Sequence, residues 1–473
     1  MTRLLIIGGS DAGISAALRA RQLDPNSEVT VVVADRYPNV SICGIPYYLS
    51  GEVADWPSLA HRTIADLEQA GLQLRLDTRA RRVEVERQQV LVTNRSGEDE
   101  FLDYDSLIIG TGAVPIRPPI DGLDTLQPQD GVHLLHSMDD TFAIMDTLQE
   151  RQPKTAIIVG AGYIGIEMAD ALTLRGLAVT QIEQLPEVLP TVDRELGTLV
   201  HATLTEHGVD VLTDTAVHSI RQATSGEQER LTVEATSNDN RTISRSGDLV
   251  LIVVGVKPET ELAAYAGATL GIKGAIVVDR HMRTNLPKVF AAGDCVVTHH
   301  QLLGDSYLPL GTTAHKQGRI AAENALGGTR EFAGSLGTQV VKIFDHVAAR
   351  TGLRDHEAEA GGFTPRTIES EADDHKAYYP GSHRIHMRHT GDHTTGRLLG
   401  LQLYGHINTE IAKRIDTAAT AIHNGMTIDA INDLDLSYTP PLGSPWDALQ
   451  AGAQAWTAAC VAGPLRPSKI DRL

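Results

Sequence analysis

The sequence predicts an α/β chain with two doubly wound, Rossmann-like domains, followed by an α+β C-terminal domain. Three observations predict it. An apolar run at residues 4–7 breaks into Gly8-Gly-Ser10-Asp11-Ala12-Gly13 and then a helical pattern. The same grammar returns at Thr155–Val159, followed by Gly160-Ala-Gly162-Tyr163-Ile164-Gly165. After Gly328 the pattern changes to short runs that alternate apolar and polar residues.

Length and composition bound the answer first. A chain of 473 residues has room for about three domains at roughly 100–200 residues each. Charged residues are 21% and hydrophobic ones 42%, ordinary for a globular protein. The net charge is −19 and no basic stretch occurs, so nucleic acid and anionic membranes are excluded as partners. The three cysteines, Cys43, Cys295 and Cys460, are too far apart for a CxxC or zinc pattern. No disulfide framework or metal site is expected, and a reducing cytoplasm fits. The chain opens directly into Leu4–Ile7, without a cleavable leader or a long apolar span, so neither membrane nor secretion is expected.

In order along the chain, strand 4–7, the Gly-rich turn, a helix from Ile14 to Leu23, strand Val29–Val33 and an acid at Asp35 form a βαβ dinucleotide unit. Gly8 and Gly13 let the backbone approach a pyrophosphate, and the helix N-terminus stabilises its charge. Ser10 stands where the middle glycine would be, and the ribose acid is Asp35, with Ala34 the other position for it. In the second copy all three glycines are present, and strand Ala178–Ile182 ends at Glu183. A carboxylate there accepts bonds from a ribose 2′-hydroxyl and repels a 2′-phosphate. No Arg or Lys lies between Gln181 and Val192, so NADH is favoured, with NADPH still open. Two dinucleotide units in one chain imply one flavin and one nicotinamide.

Each unit has an echo. Tyr104–Ile109 ends in Gly110-Thr111-Gly112, and Asp248–Val254 ends in Gly255. Residues 212–248 read as a polar surface hairpin. Val289–Ala292 leads to Gly293-Asp294, whose carboxylate suits a ribitol hydroxyl. A helix opening at Gly311-Thr312-Thr-Ala314 can face the flavin edge. Beyond Gly328, strands are expected at 339–344, 382–388 and 398–404, and helices at Ile411–His423 and Asp447–Ala458. His383, His386, His389 and His393 read as surface residues, and Cys295 as a core residue.

The chemistry centres on Asn39-Val-Ser41-Ile-Cys43-Gly-Ile-Pro46-Tyr-Tyr-Leu-Ser-Gly51. Ser41 is a candidate N-cap, Pro46 a first-turn residue and Gly51 a stop. Cys43 then stands at a helix N-terminus, where the dipole favours a thiolate.

With these motifs in place, the chain resembles the pyridine nucleotide-disulfide oxidoreductases, in particular their single-cysteine branch of coenzyme A-disulfide reductases, NADH oxidases and peroxidases, and polysulfide reductases. The marks are Ser41-Ile-Cys43-Gly-Ile-Pro46, Tyr378-Tyr379-Pro380-Gly381, Lys413-Arg414-Ile415-Asp416, and Asp435-Leu-Ser-Tyr438 with Trp446-Asp447. The resemblance implies an FAD domain at 1–112 resumed at 248–328, an NAD(P) domain at 113–247 and a dimerisation domain at 329–473. It implies FAD held by Gly8, Ser10, Ala12, Gly13, Asp35, Ser41, Thr111, Gly112, Gly293, Asp294, Gly311, Thr312 and Ala314. NAD would be held by Gly160, Gly162, Tyr163, Ile164, Gly165, Glu183 and Gly255. Hydride would pass from NAD(P)H through flavin to Cys43 and on to a disulfide, persulfide or polysulfide, such as coenzyme A disulfide. Tyr438, from the second subunit of a homodimer, would be proton donor, helped by Tyr378 or Tyr379.

Two departures leave the acceptor open. Asp11 stands where the oxidases and peroxidases carry histidine, and Ile42 where coenzyme A-disulfide reductases carry asparagine. Arg19 and Arg21 are the candidates for a nucleotide phosphate, or else solvated helix positions. The alternatives are an oxidase or peroxidase with a Cys43 sulfenate, a reductase of another small thiol-reactive acceptor, and a non-catalytic flavin redox sensor.

Overall fold

The computed structural model describes residues 2–222 and 231–461. The elements that build the sites begin with β1 (Arg3–Ile7), α1 (Asp11–Leu23), β2 (Glu28–Val32), α2 (Ile45–Ser50), β3 (Leu72–Arg75) and β4 (Ser106–Ile109). They continue with β5 (Thr155–Val159), α3 (Tyr163–Leu174), β6 (Ala178–Ile182), β7 (Val289–Ala291) and α4 (Gly311–Ala325). The C-terminal region supplies β8 (Gln339–Ile343), β9 (His346–Gly352), β10 (Pro365–Asp373), β11 (Arg384–Asp392), β12 (Leu398–His406), α5 (Ile411–His423) and α6 (Ala448–Val461). The chain divides into two compact units. One comprises residues 1–156, 219–233 and 246–335; the other comprises 157–218, 234–245 and 336–473.

In the first unit, β7-β4-β1-β2-β3 form a parallel sheet with β1 at its centre. Leu4 and Ile6 pack into a cluster with α1 and α4 residues such as Ile14, Ala17 and Ala321. Leu5 and Ile7 enter a second cluster with Val90, Tyr104 and Cys295. Both faces are covered, which is why Leu4–Ile7 of β1 and Leu107–Ile109 of β4 are apolar without alternation. After β1 the chain goes to β2 on one side and later to β4 on the other. The carboxyl end of β1 is therefore the switch point at which doubly wound sheets bind ligands. The two echo segments pair with each other: Ala113–Pro115 and Val256–Pro258 form an antiparallel ribbon.

In the second unit, β6 pairs in parallel with Asp210–Leu212. The C-terminal strands form one antiparallel sheet, ordered β8-β9-β12-β11-β10. Strand β9 and the polar strand β10 go beyond the three expected strands, whereas α5 falls on the expected residues. The expected 212–248 hairpin is three strands, Thr215–Gln222, Leu231–Ser237 and Thr242–Gly247; its 223–230 portion lies outside the described residues.

One histidine expectation is corrected. His389 is fully buried, because its ring sits on Gly452 of α6, where an added Cβ would lie 2.1 Å from Cε1. Burial lowers this imidazole to about 4. His386 is half-buried, 3.1 Å from the Glu371 carboxylate. Among the described residues, no helix is long and apolar enough to cross a membrane, and no group of three or more His, Cys, Asp or Glu is arranged to hold a metal.

Candidate active site

β1 delivers the chain into Gly8, whose φ of 117° belongs to glycine. A Cβ at Gly8 would lie 2.0 Å from the Gly110 carbonyl oxygen, and one at Gly13 1.9 Å from that of Gly8. The turn after β1, the loop after β4 and helix α1 therefore close with no room for side chains. Ser10 is the N-cap of α1 but makes no side-chain capping bond, so the first amides of α1 receive no acceptor from it.

Around this turn the other predicted residues gather at the carboxyl ends of the parallel strands. Thr111 and Gly112 follow β4, and a Cβ on Gly112 would meet open space. Gly293 and Asp294 follow β7. The Gly293 amide donates to Gln317 Oε1 (2.9 Å), while the buried Gln317 Nε2 has no partner. Gly311 and Thr312 open α4, with Ala314 buried behind them. Asp35 accepts from the Tyr37 amide (2.8 Å), and burial raises its carboxyl above the usual range. A glycine-walled turn, an uncapped helix N-terminus and an orphaned buried amide make a cradle that fits the diphosphate and polar chain of FAD.

The residues expected to hold the nicotinamide cofactor divide: Gly160 to Glu183 lie in the second unit, while Gly255 lies in the first, where its carbonyl accepts from the Ile116 amide (2.9 Å). A Cβ on Gly165 would stand 2.2 Å from the Gly160 carbonyl oxygen, whereas one on Gly162 would meet open space. The middle glycine thus keeps a face clear and the last one lets α3 close on its strand. Tyr163 and Ile164 form the first turn of α3 and are half-buried. Glu183 is 6% exposed, and its oxygens accept from the Ala161 amide (2.7 Å) and the Leu185 amide (2.9 Å). The acid of the fingerprint therefore also ties the glycine turn to the end of β6.

Cys43 lies in a 3₁₀ turn, Ile42–Gly44, immediately before α2, and is exposed. Ser41 precedes this turn without a side-chain capping bond, and Gly51 ends α2 at φ 90°. The loop carrying Cys43 is tied at both ends. Its Asn39 amide donates to the Gly9 carbonyl (2.7 Å), Ser41 to Leu59 (2.9 Å), and His61 to Asn39 (3.0 Å). Tyr37, Trp56 and Phe142 pack edge-to-face with centroids 5.4–5.6 Å apart. The loop thus hangs from the first glycine turn. Cys295 is buried in the core, as expected, and none of the three cysteines is in a disulfide.

Beside this loop is a cavity of about 590 Å³ whose walls include Ser15, Asn39, His61, Arg62, His315 and Arg319. Asn39 is 4% exposed, with its Nδ2 unpartnered. Arg19 and Arg21 do not belong to a phosphate site. Arg19 is paired with Glu323 (2.8 Å), and Arg21 donates to the carbonyls of Ala70, Pro25 and Ser27. Sequence reasoning missed the cluster on this wall. His315 Nδ1 is 2.6 Å from Ser15 Oγ, and its Nε2 is 3.4 Å from Asp11 Oδ1. Burial raises the Asp11 carboxyl against the pull of His315 and His61, and burial together with Asp11 raises Asp294 to about 6.

In the second unit, Tyr378, Tyr379 and Tyr438 are exposed, and desolvation together with the neighbouring Tyr438 raises the Tyr378 hydroxyl above its usual range. Arg414, missed as a functional residue, braces their loops. It makes a two-pronged pair with Asp447 (2.8 Å at the shortest) and donates to the carbonyls of Asp374 (3.0 Å) and Thr409.

Comparison with known proteins agrees with this geometry. Residues 2–318 match the model of the pyridine nucleotide-disulphide oxidoreductases, and residues 338–448 that of their dimerisation domain. The NAD(P)H sulfur oxidoreductase (CoA-dependent) of Pyrococcus furiosus is 34% identical over 94% of this chain and 97% of its own length. An NADH oxidase of Methanocaldococcus jannaschii is 30% identical over 96% of this chain and 98% of its own. The structure of a NAD-dependent persulfide reductase from A. fulgidus superposes with a TM-score of 0.89 at 35% identity, covering 96% of this chain and 83% of that one. The two glycine cradles, the exposed Cys43 and these matches make one statement: the chain belongs to the pyridine nucleotide-disulphide oxidoreductases, enzymes that take FAD and NAD(P)H, and ends in that family's dimerisation domain.

Proposed function

We propose that the enzyme passes reducing equivalents from NAD(P)H to Cys43 and on to a disulfide, persulfide or polysulfide acceptor of the coenzyme A disulfide kind. The observation that carries this is Cys43 itself: an exposed cysteine outside any disulfide, in a loop anchored on the first glycine turn, while Cys295 is buried in the core. A lone accessible sulfur must form its disulfide or persulfide with the acceptor. The cavity beside the loop supplies two guanidinium groups and an unpartnered Asn39 amide for an anionic, polar acceptor. The names of the P. furiosus and A. fulgidus relatives point the same way.

The site residues take these roles. Gly8, Ser10, Ala12 and Gly13 present the amides of α1 to the FAD diphosphate, with Asp35, Ser41, Thr111, Gly112, Gly293, Asp294, Gly311, Thr312 and Ala314 around the rest of the cofactor. Gly160, Gly162, Ile164, Gly165 and Glu183 seat the NADH adenosine diphosphate, Gly255 contributes from its own loop, and Tyr163 stands as a gate. Bound FAD supplies the two-electron exchange between nicotinamide and sulfur. In the homodimer Tyr438, with Tyr378 or Tyr379, completes the partner subunit's site as proton donor. The proposed domains are FAD at 1–112 and 248–328, NAD(P) at 113–247 and dimerisation at 329–473.

One observation favours the oxidase reading as a second choice. Although Asp11 occupies the turn, His315 brings an imidazole to within 3.4 Å of it. Cys43→Ser decides the role of the cysteine. It should keep FAD and NADH-driven bleaching of the flavin while losing coenzyme A disulfide reduction. Undiminished turnover in that variant would make Cys43 structural.

A further inference from the structure

The loop that follows β6, residues 183–193, is held from the C-terminal sheet, and all the residues involved belong to one compact unit. Arg350, on β9, donates through Nη1 to the Thr191 carbonyl (2.8 Å). Arg354, just past β9, donates through Nη1 to the carbonyls of Pro190 (2.7 Å) and Val192 (3.2 Å). Both guanidiniums share the Glu357 carboxylate, at 2.7 and 2.8 Å. Burial raises that carboxyl, but hydrogen bonds from the two arginines outweigh it and bring it to about 2. Two cations on one carboxylate leave a positive surplus, which the three carbonyl dipoles meet. Asp193, the N-cap of helix Arg194–Glu206, makes no side-chain capping bond. Its Oδ2 accepts instead from Arg388 Nε (2.9 Å) and Gln402 Nε2 (2.7 Å), on β11 and β12.

The same loop reaches the second glycine turn. The Leu189 amide donates to the Ala161 carbonyl (2.8 Å), and the Ala161 amide donates to Glu183 Oε2 (2.7 Å). Leu189 is buried at φ 50°, a left-handed conformation that a leucine keeps only where its surroundings impose it. The three clamped carbonyls belong to the residues directly after it. The helix behind the turn is tied as well: Asp170 of α3 accepts from Lys342 Nζ (2.8 Å) and the Phe344 amide (2.9 Å). Hydrogen bonds thus run from Arg350 and Arg354 through residues 189–192 to Ala161, between Gly160 and Gly162.

We infer that Arg350 and Arg354 are positioning residues for NAD(P)H, which gives the sheet of the dimerisation domain a second task. The inference rests on the Gly160–Gly165 turn holding that cofactor. The arginines act through the loop: with the carbonyls of 190–192 released, Leu189 relaxes from its left-handed conformation and loosens its hold on Ala161. The turn must then be ordered each time the cofactor binds, which weakens cofactor binding and leaves the electron-transfer steps unchanged. Arg354 is the residue to replace, because Glu357 keeps both oxygens on Arg350 (3.2 and 2.7 Å) and no carboxylate is left unpaired.

The test is Arg354→Gln and Arg354→Lys in the FAD-loaded enzyme. The control is Arg384→Gln, which breaks the exposed Arg384–Asp373 pair on the same sheet. Stopped-flow flavin reduction over a range of NADH concentrations is read beside hydrogen exchange of the NADH-free protein. Arg354→Gln should raise the half-saturating NADH concentration about tenfold, the equivalent of one charge-assisted hydrogen bond, with the limiting rate unchanged. Arg354→Lys should recover part of that loss. Exchange should quicken at the Leu189 amide while β8–β12 keep their protection. Arg384→Gln should change neither readout. Unchanged exchange in the loop would overturn the inference, as would quickened exchange with unchanged NADH saturation. Protection lost throughout the sheet would make Arg354 a structural residue only and overturn it too. If Gly165→Ala leaves NADH saturation unchanged, the reading of the glycine turn falls instead.

Discussion

Arg414→Met tests how the tyrosine-bearing loops are held. The guanidinium is 9% and the Asp447 carboxylate 17% exposed, at 2.8 Å from each other. Arg414 also serves the carbonyls of Asp374 and Thr409, and Asp447 Oδ1 accepts from the Leu449 amide (2.9 Å). Removing the cation leaves a carboxylate largely cut off from water and two carbonyls bare. Breaking such a pair costs about 3–5 kcal/mol, whereas an exposed pair is worth at most about 1. Arg414→Lys should recover only part, because an ammonium cannot make the two-pronged contact. Arg414→Met with Asp447→Leu should recover most of the charge penalty but not the two carbonyl bonds. Urea unfolding of the C-terminal region reads the stability. The same variants should lose acceptor turnover while keeping NADH-driven flavin reduction, since Asp374 and Asp447 flank the segments bearing Tyr378, Tyr379 and Tyr438. A loss below about 1 kcal/mol in Arg414→Met, or an equal loss of flavin reduction, would refute this account.

Gly165→Ala places a Cβ 2.2 Å from the Gly160 carbonyl oxygen, so NADH affinity should fall at least about tenfold while FAD content stays the same; a fluorescence titration with NADH checks it. His389 is held at about 4 by burial, against 6.5 for the unperturbed ring. The unfolded chain therefore takes up the proton first, and the stability this neutral ring contributes is complete above 6.5 and drains away down to 4. Going from pH 7 to pH 5 should cost about 2 kcal/mol, which His389→Met should abolish in urea unfolding at the two pH values.

Much of this architecture is written locally. Gly8, Gly13 and Gly165 announce their turns because only a missing Cβ permits the approach of the Gly110, Gly8 and Gly160 carbonyls. Strand β1 is legible because burial on both faces leaves its Leu4–Ile7 run wholly apolar. What is missed depends on partners distant in sequence. His315 carries no local signal, because its neighbours Asp11 and Ser15 lie on α1. His389 reads as a strand residue facing solvent until α6 covers it at Gly452. Arg19 and Arg21 look like phosphate ligands until Glu323 and three carbonyls take them. Strand β10, Pro365–Asp373, is mostly half-buried and polar, so its pairing with β11 has no apolar alternation to announce it.

The most direct test of the central claim is the intact mass of the enzyme after exposure to coenzyme A disulfide without NADH, with the adduct mapped by peptide. One coenzyme A should appear in mixed disulfide on Cys43, none on Cys295 or Cys460, and it should be released when NADH is added. An adduct on another residue, or Cys43 gaining only oxygen while the disulfide stays untouched, would contradict it.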